Sequence, residues 1–261
     1  MVGLYRQQGW ATRVWPWPDD RLTYIYVASL TAAVAAPFLW GAWSGELVTL
    51  APVALDSLVV NLGLAVYLGV RAVDTDDRSL LTFAVGSAVF ALLSGLLFRW
   101  VRRVPPRDQR ATPRWGRRVM AGLGLGVAVI SVGLLGRVDG LYPWNLMPET
   151  STMFGIVYLG VSVYFAYAAL HPAWPMTTGQ LLGFMAYTAV LVNPYLDLLR
   201  ERLSDDPAGT PLYGSYLVGD DGPHMLSLGV FLSVLSFGTA IGVWTLVARR
   251  DTRIIGRPAM D

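Results

Sequence analysis

From Leu22 to Trp43 the chain carries no charged side chain, and runs of this kind recur along its length. An apolar run of about 20 residues is long enough to cross about 30 Å of hydrocarbon as a helix. A backbone crossing lipid must satisfy every N–H and C=O internally, so such a run folds as a helix. The runs suggest seven spans, at approximately 22–43, 47–70, 79–101, 118–136, 152–170, 176–199 and 224–248. Six spans with one re-entrant pair is the alternative. The expected fold class is therefore all-α, a polytopic membrane helix bundle forming one domain over 22–248.

Composition agrees. Apolar residues make up 54% of the chain and charged residues 15%, against about 25% charged in soluble domains. A soluble bundle would need a polar face on each helix, and several runs have none.

The chain has no cysteine, which excludes disulfides, thiolate metal sites and cysteine nucleophiles. It also has no lysine, all 20 basic residues being arginine. Covalent attachment of retinal or pyridoxal phosphate needs a lysine amine, so neither is expected as a Schiff base. The two histidines, His171 and His224, fall at opposite ends of different spans. A bis-histidine haem within the chain is therefore not expected, and no metal-ligand set is legible. Serine-elbow, zinc-protease, phosphate-loop and dinucleotide signatures are absent, so no catalytic constellation is identified.

Residues 1–21 contain no apolar leader segment. Trp10, Trp15 and Trp17 alternate with Arg6 and Arg13, a mixture that favours the headgroup layer. This suggests an interfacial arm, extended near Pro16 and Pro18.

Arginine placement predicts orientation. The 99–118 link holds eight arginines against Asp108, and the 249–261 tail adds Arg249, Arg250, Arg253 and Arg257. With seven spans both fall on one side, expected to be cytoplasmic in a multi-pass cell-membrane protein. The 200–224 link, with Glu201, Asp205, Asp206, Asp220 and Asp221, then lies outside, as does the N-terminus. The basic link suits anionic lipid heads. It lacks regular aromatic interleaving, so no nucleic-acid partner is expected.

Gly122 and Gly126, and again Gly238 and Gly242, have the four-residue spacing that lets helix backbones approach. They predict packing against another part of the bundle or against a protein partner.

Asp56 is the most informative polar residue. It lies two or three residues from the middle of the second span, roughly 4 Å from the bilayer centre. A carboxylate facing lipid there costs at least about 2.5–3.5 kcal/mol, so it is expected to face the bundle interior. Ser57 and Asn61 share an adjacent face. Asn193, Pro194 and Asp197 interrupt the sixth span near its end. Proline frees a carbonyl there, and Arg200 is placed to pair with Asp197. Asp56, Asn61, Asn193 and Asp197 are thus the candidate intramembrane polar site.

The segment "HPAWP" (171–175) is similar to a proline-tryptophan signature in the A subunits of copper membrane monooxygenases. "GTPLY" (209–213) resembles the Gly-Thr-Pro signature that follows it at similar spacing. Those subunits cross the membrane a similar number of times. The resemblance implies a subunit of a membrane oxidoreductase. The acid-bearing segment between the two signatures is not recognisable here, so it carries over no copper ligands.

Two function classes follow. A permease-like transport protein using Asp56 requires a cavity reaching that carboxyl, lined by Asn61 and polar groups of the third, fifth or sixth span. A membrane-embedded subunit of a larger complex requires no such cavity, and instead an open small-residue face.

Overall fold

A computed structural model of the chain describes residues 2–6, 8–12, 21–203 and 224–248. Two short helices, α1 (Val2–Tyr5) and α2 (Gly9–Thr12), precede seven long ones. These are α3 (Arg21–Ser44), α4 (Leu50–Thr75), α5 (Arg78–Val101), α6 (Arg114–Leu135), α7 (Pro148–Leu170), α8 (Trp174–Leu203) and α9 (Met225–Val243). A 3-10 turn at Leu47–Thr49 leads into α4, and a π-helical turn at Trp244–Ala248 extends α9. Among the described residues there is no strand. All seven long helices are long and apolar enough to cross a membrane, so the chain is an all-α multi-pass bundle. Arg13, Trp15, Trp17, the acidic stretch 204–223 with "GTPLY", and the 249–261 tail lie outside the described residues.

The helices outrun the apolar runs that announced them. α6 starts at Arg114, four residues ahead of the sequence boundary, and α7 starts at Pro148. A proline is favourable in a first turn because its missing N–H would be unpaired there anyway. Arginine reaches the headgroup layer on its aliphatic stem, so charges at a helix end do not stop the helix. α8 passes through Pro194 without interruption. The "NPYLD" segment is therefore helix, not a break.

The packing is a sandwich of two layers. In one, α5, α4, α7 and α6 lie side by side in that order; in the other, α3, α8 and α9 do. Contacts within each layer are extensive and contacts between layers are sparse. Lipid tails are as apolar as leucine, so close backbone approach and hydrogen bonds hold such layers together. In the first layer Ser131 Oγ donates to the Gly155 carbonyl (2.7 Å) and Ser151 Oγ to the Leu134 carbonyl (2.9 Å). Arg71 of α4 pairs with Glu149 of α7 at 3.3 Å.

Glycines mediate the closest approaches, but not all those expected. Gly238 and Gly242 of α9 receive Phe184 and Met185 of α8. Gly122 and Gly126, in contrast, face outward with nothing within 4 Å of where a Cβ would sit. Between them, Gly124 packs on the α7 backbone, where an added Cβ would lie 3.3 Å from Ser162 O and Ala166 N. Within the bundle, then, it is Gly124 and not the Gly122–Gly126 pair that makes the close approach. The pair that joins α8 to α3 is Gly179 and Gly183. A methyl at Gly183 would lie 2.8 Å from the Ala33 carbonyl oxygen.

Both ends are closed by ordered links. At one end Glu46 accepts backbone N–H groups from Arg107 (3.1 Å) and Asp108 (2.6 Å), clamping the arginine-rich link onto the α3–α4 turn. Thr112 N donates to Pro172 O and Trp174 N to Arg110 O, each at 2.9 Å, which ties the same link to "HPAWP". At the other end the α6–α7 link drives Tyr142 and Trp144 into the bundle, 2% and 1% exposed. His224 holds that link through Pro143 O (3.1 Å) and Asn145 Oδ1 (3.0 Å), and Ser227 Oγ bonds the Gly140 carbonyl. In α1, Leu4 is buried against Tyr24 and Ala28 of α3.

Candidate functional site

The sparse contact between layers leaves a cavity of about 300 Å³. Six of the seven long helices line it; α5, at the edge of its layer, does not. Most of the wall is aliphatic or aromatic. Its polar members are Asp56, Ser57 and Asn61 of α4, Tyr26 of α3, Tyr158 and Tyr164 of α7, and Tyr187 of α8.

Asp56 is held there by its neighbour across the layer. Gly160 of α7 lies directly against the Asp56 carboxyl and Val60, and any side chain at that position would displace them. Asp56 as a residue is half-buried because part of it borders the cavity. Its Oδ1 has almost no accessible surface and accepts no hydrogen bond. An unpaired buried acceptor costs about 1–3 kcal/mol, and more when charged. Such an atom is stored demand for a donor. Asn61 donates its amide to the Ser57 carbonyl (2.8 Å), one turn back along α4. That bond orients the carboxamide beside the cavity.

Asp56 sits off-centre. α4 with its leading turn runs from Leu47 to Thr75, five residues past the end read from hydropathy. At ~1.5 Å per residue, Asp56 is roughly 14 Å from the first end and 28 Å from the second. The residue at the middle of this helix is Asn61.

Asn193 and Asp197 do not join this site. Asn193 is exposed on α8, while Pro194 and Tyr195, which follow it, are buried. Asp197 is near the α8 terminus and pairs with Arg200 at 3.2 Å.

Several groups escaped the sequence reading. Gln180 of α8 is fully buried and donates to the Tyr164 carbonyl, while its Oε1 accepts nothing. Tyr164 has a buried hydroxyl without a hydrogen bond, in electrostatic reach of Asp56. Pro37, inside α3, removes the N–H that would otherwise bond the Ala33 carbonyl, and Ala33 borders the cavity. Toward the Tyr142 end, Tyr26, Tyr142, Tyr158, Tyr187 and Tyr195 bring their hydroxyls close enough to interact. Tyr26 stacks on Tyr158 at 6.2 Å between ring centres and meets Tyr142 edge-on at 5.7 Å. The signal available in sequence was a phenol recurring inside apolar runs, which reads equally well as packing.

Tyr142 and Trp144 also form one wall of a second cavity, of about 230 Å³. It lies under the α6–α7 link and borders Arg137, Asp139, Asn145 and His224. Two compartments thus face each other across an aromatic plug.

The histidines are far apart in the fold. His171 stacks on Tyr167 at 4.1 Å at the Glu46 end, and His224 lies at the plug end. Among the described residues no three His, Asp or Glu side chains converge on a metal-sized site. No protein-family model, curated protein or solved structure matches the chain.

Proposed function

We propose that the chain is a permease-like transport protein whose substrate occupies the cavity between the helix layers, with Asp56 as the group that exchanges a proton or cation. The observation that carries this reading is that Asp56, whose buried Oδ1 accepts no hydrogen bond, lines a cavity of about 300 Å³. A membrane-embedded carboxyl facing a cavity is characteristic of ion and proton pathways. A purely scaffolding subunit has no need of one. Two further features support it. The layers touch sparsely, which suits one layer rocking against the other around a central site. The second cavity, beyond Tyr142 and Trp144, suits a vestibule separated from the site by a gate.

Arginine placement supports a cytoplasmic location for the 99–118 link and the C-terminal tail, with the N-terminus and the vestibule outside. The alternative, a subunit of a larger complex, draws on the outward glycines Gly122 and Gly126, which leave one face of α6 open to a close-packed helix. The two roles are compatible.

The test is proton movement in proteoliposomes enclosing a pH-sensitive dye, driven by an imposed membrane potential. The parent protein is expected to move protons faster than protein-free liposomes, and Asp56→Asn to abolish the difference. A parent protein no faster than empty liposomes removes the proposal.

A further inference from the structure

The chemistry of the cavity wall narrows what it can hold, taking as given that this cavity is a substrate site. We propose that it binds a lipophilic cation, an amine or quaternary ammonium on an apolar body, entering sideways from the bilayer between α6 and α9.

The charge preference comes from the wall itself. Among the described residues that line the cavity, Asp56 is the one acidic group and there is no arginine or histidine. Aliphatic side chains make up much of the rest, and aromatic rings are set among them, including Tyr26, Tyr158, Tyr164, Phe165, Tyr187 and Phe231. A carboxylate among aromatic faces is the arrangement that recognises an organic ammonium, because ring quadrupoles attract a cation whose hydration is weak. A bare metal ion would need a shell of oxygen ligands, and this wall is too apolar to replace its water. An anion would meet Asp56 with no compensating charge. The volume, about 300 Å³, is at the small end of ligand pockets and suits a compact molecule better than a two-chain lipid.

The route comes from the packing. α6 and α9 flank the cavity but scarcely touch along their length. Among the described residues the ties between them lie near the ends. Trp115 meets Trp244 at 5.7 Å between ring centres, and the α6–α7 link bonds His224 and Ser227. Between these ties, Val127 and Ile130 face Val230 and Val234 across the cavity. Val230 is 51% and Val234 43% exposed, yet both border the cavity, which marks its mouth. The mouth is apolar and opens where lipid tails would lie. A molecule that partitions into the bilayer reaches it without crossing the plug.

The experiment is equilibrium binding of benzyltrimethylammonium to the full chain in lipid nanodiscs, against its neutral carbon isostere neopentylbenzene. The cation is expected to bind at least about 10-fold tighter than the isostere. Asp56→Asn should weaken cation binding about 30-fold or more and leave the isostere unchanged. Tyr158→Leu should weaken it about 3- to 30-fold, which keeps the test decisive should Asp56→Asn fold poorly. Acidification should weaken cation binding in the parent and not in Asp56→Asn. Val230→Trp, at the mouth, should slow association several-fold. Equal affinity for cation and isostere, or cation binding indifferent to both substitutions, overturns the cation site. Association unchanged in Val230→Trp overturns the side entry. Cation binding without proton flux would leave this site standing and remove the transport reading; flux without cation binding would do the reverse.

Discussion

Glu46 and Asp56 lie ten residues apart in the chain, one just before the turn that leads into α4 and one inside that helix, and both have an oxygen withdrawn from water. Their surroundings are opposite. Glu46 is 9% exposed, and its two oxygens take the backbone N–H groups of Arg107 and Asp108. Asp56 has an oxygen equally hidden that takes none. A carboxylate with its acceptor sites filled by fixed backbone donors is a clamp. One left wanting beside an open space is ready for a ligand or a proton. The residue types are nearly equivalent; partners decide the role.

The comparison can be broken by substitution. Glu46→Ala removes both acceptors and strands two N–H groups, and hydrogen bonds to a charged group are worth about 1.5–3 kcal/mol each. A loss of about 3 kcal/mol is expected, seen as a clear fall in thermal unfolding temperature in detergent. Wild-type stability in Glu46→Ala would show that the clamp is idle. Next in size is Gly183→Ala. Its methyl meets the Ala33 backbone oxygen, so α3 and α8 must separate. The overpacking is expected to cost about 2 kcal/mol in the same measurement.

Asp56→Asn should behave unlike Glu46→Ala. No hydrogen bond to Oδ1 is lost, and a neutral amide is easier to bury than a charge. The change in stability should stay within about 1 kcal/mol of zero, while proton flux disappears. A large destabilisation would make Asp56 a second clamp. Opposite in sign is Gly122→Ala with Gly126→Ala. Both positions face open space, so better helix propensity should stabilise by about 1–2 kcal/mol in all. A loss of stability or of a native assembly on size-exclusion chromatography would place a protein partner on that face.

The seven helices were legible because a membrane span imposes one physical demand, about 20 apolar residues, that can be read without knowing any neighbour. Their ends were less so. Arg114–Arg118 and Pro148–Ser151 look like loop by hydropathy, yet both belong to helices. Asp56 was legible because a carboxyl in an apolar run is costly wherever its helix packs. Asn193 was a lesser candidate near the end of its span, and the structure turns it outward. Gly160 and Gln180 gave no comparable sign. A glycine reads alike whether it receives a carboxylate or faces lipid, and a glutamine near a helix start reads as interfacial.

What the sequence alone determined is therefore what depends on one residue and its solvent: the all-helical membrane class, the number of crossings, the absence of lysine and cysteine chemistry, and the cost of Asp56. Only the tertiary structure decided what depends on pairs. It set which glycines face inward, which phenols gather near Tyr142, and that two loosely joined layers leave a cavity at Asp56. A helix rotates its side chains by about 100° per residue. Hydropathy records how deep a residue lies, but the direction it faces is set by the helix packed against it.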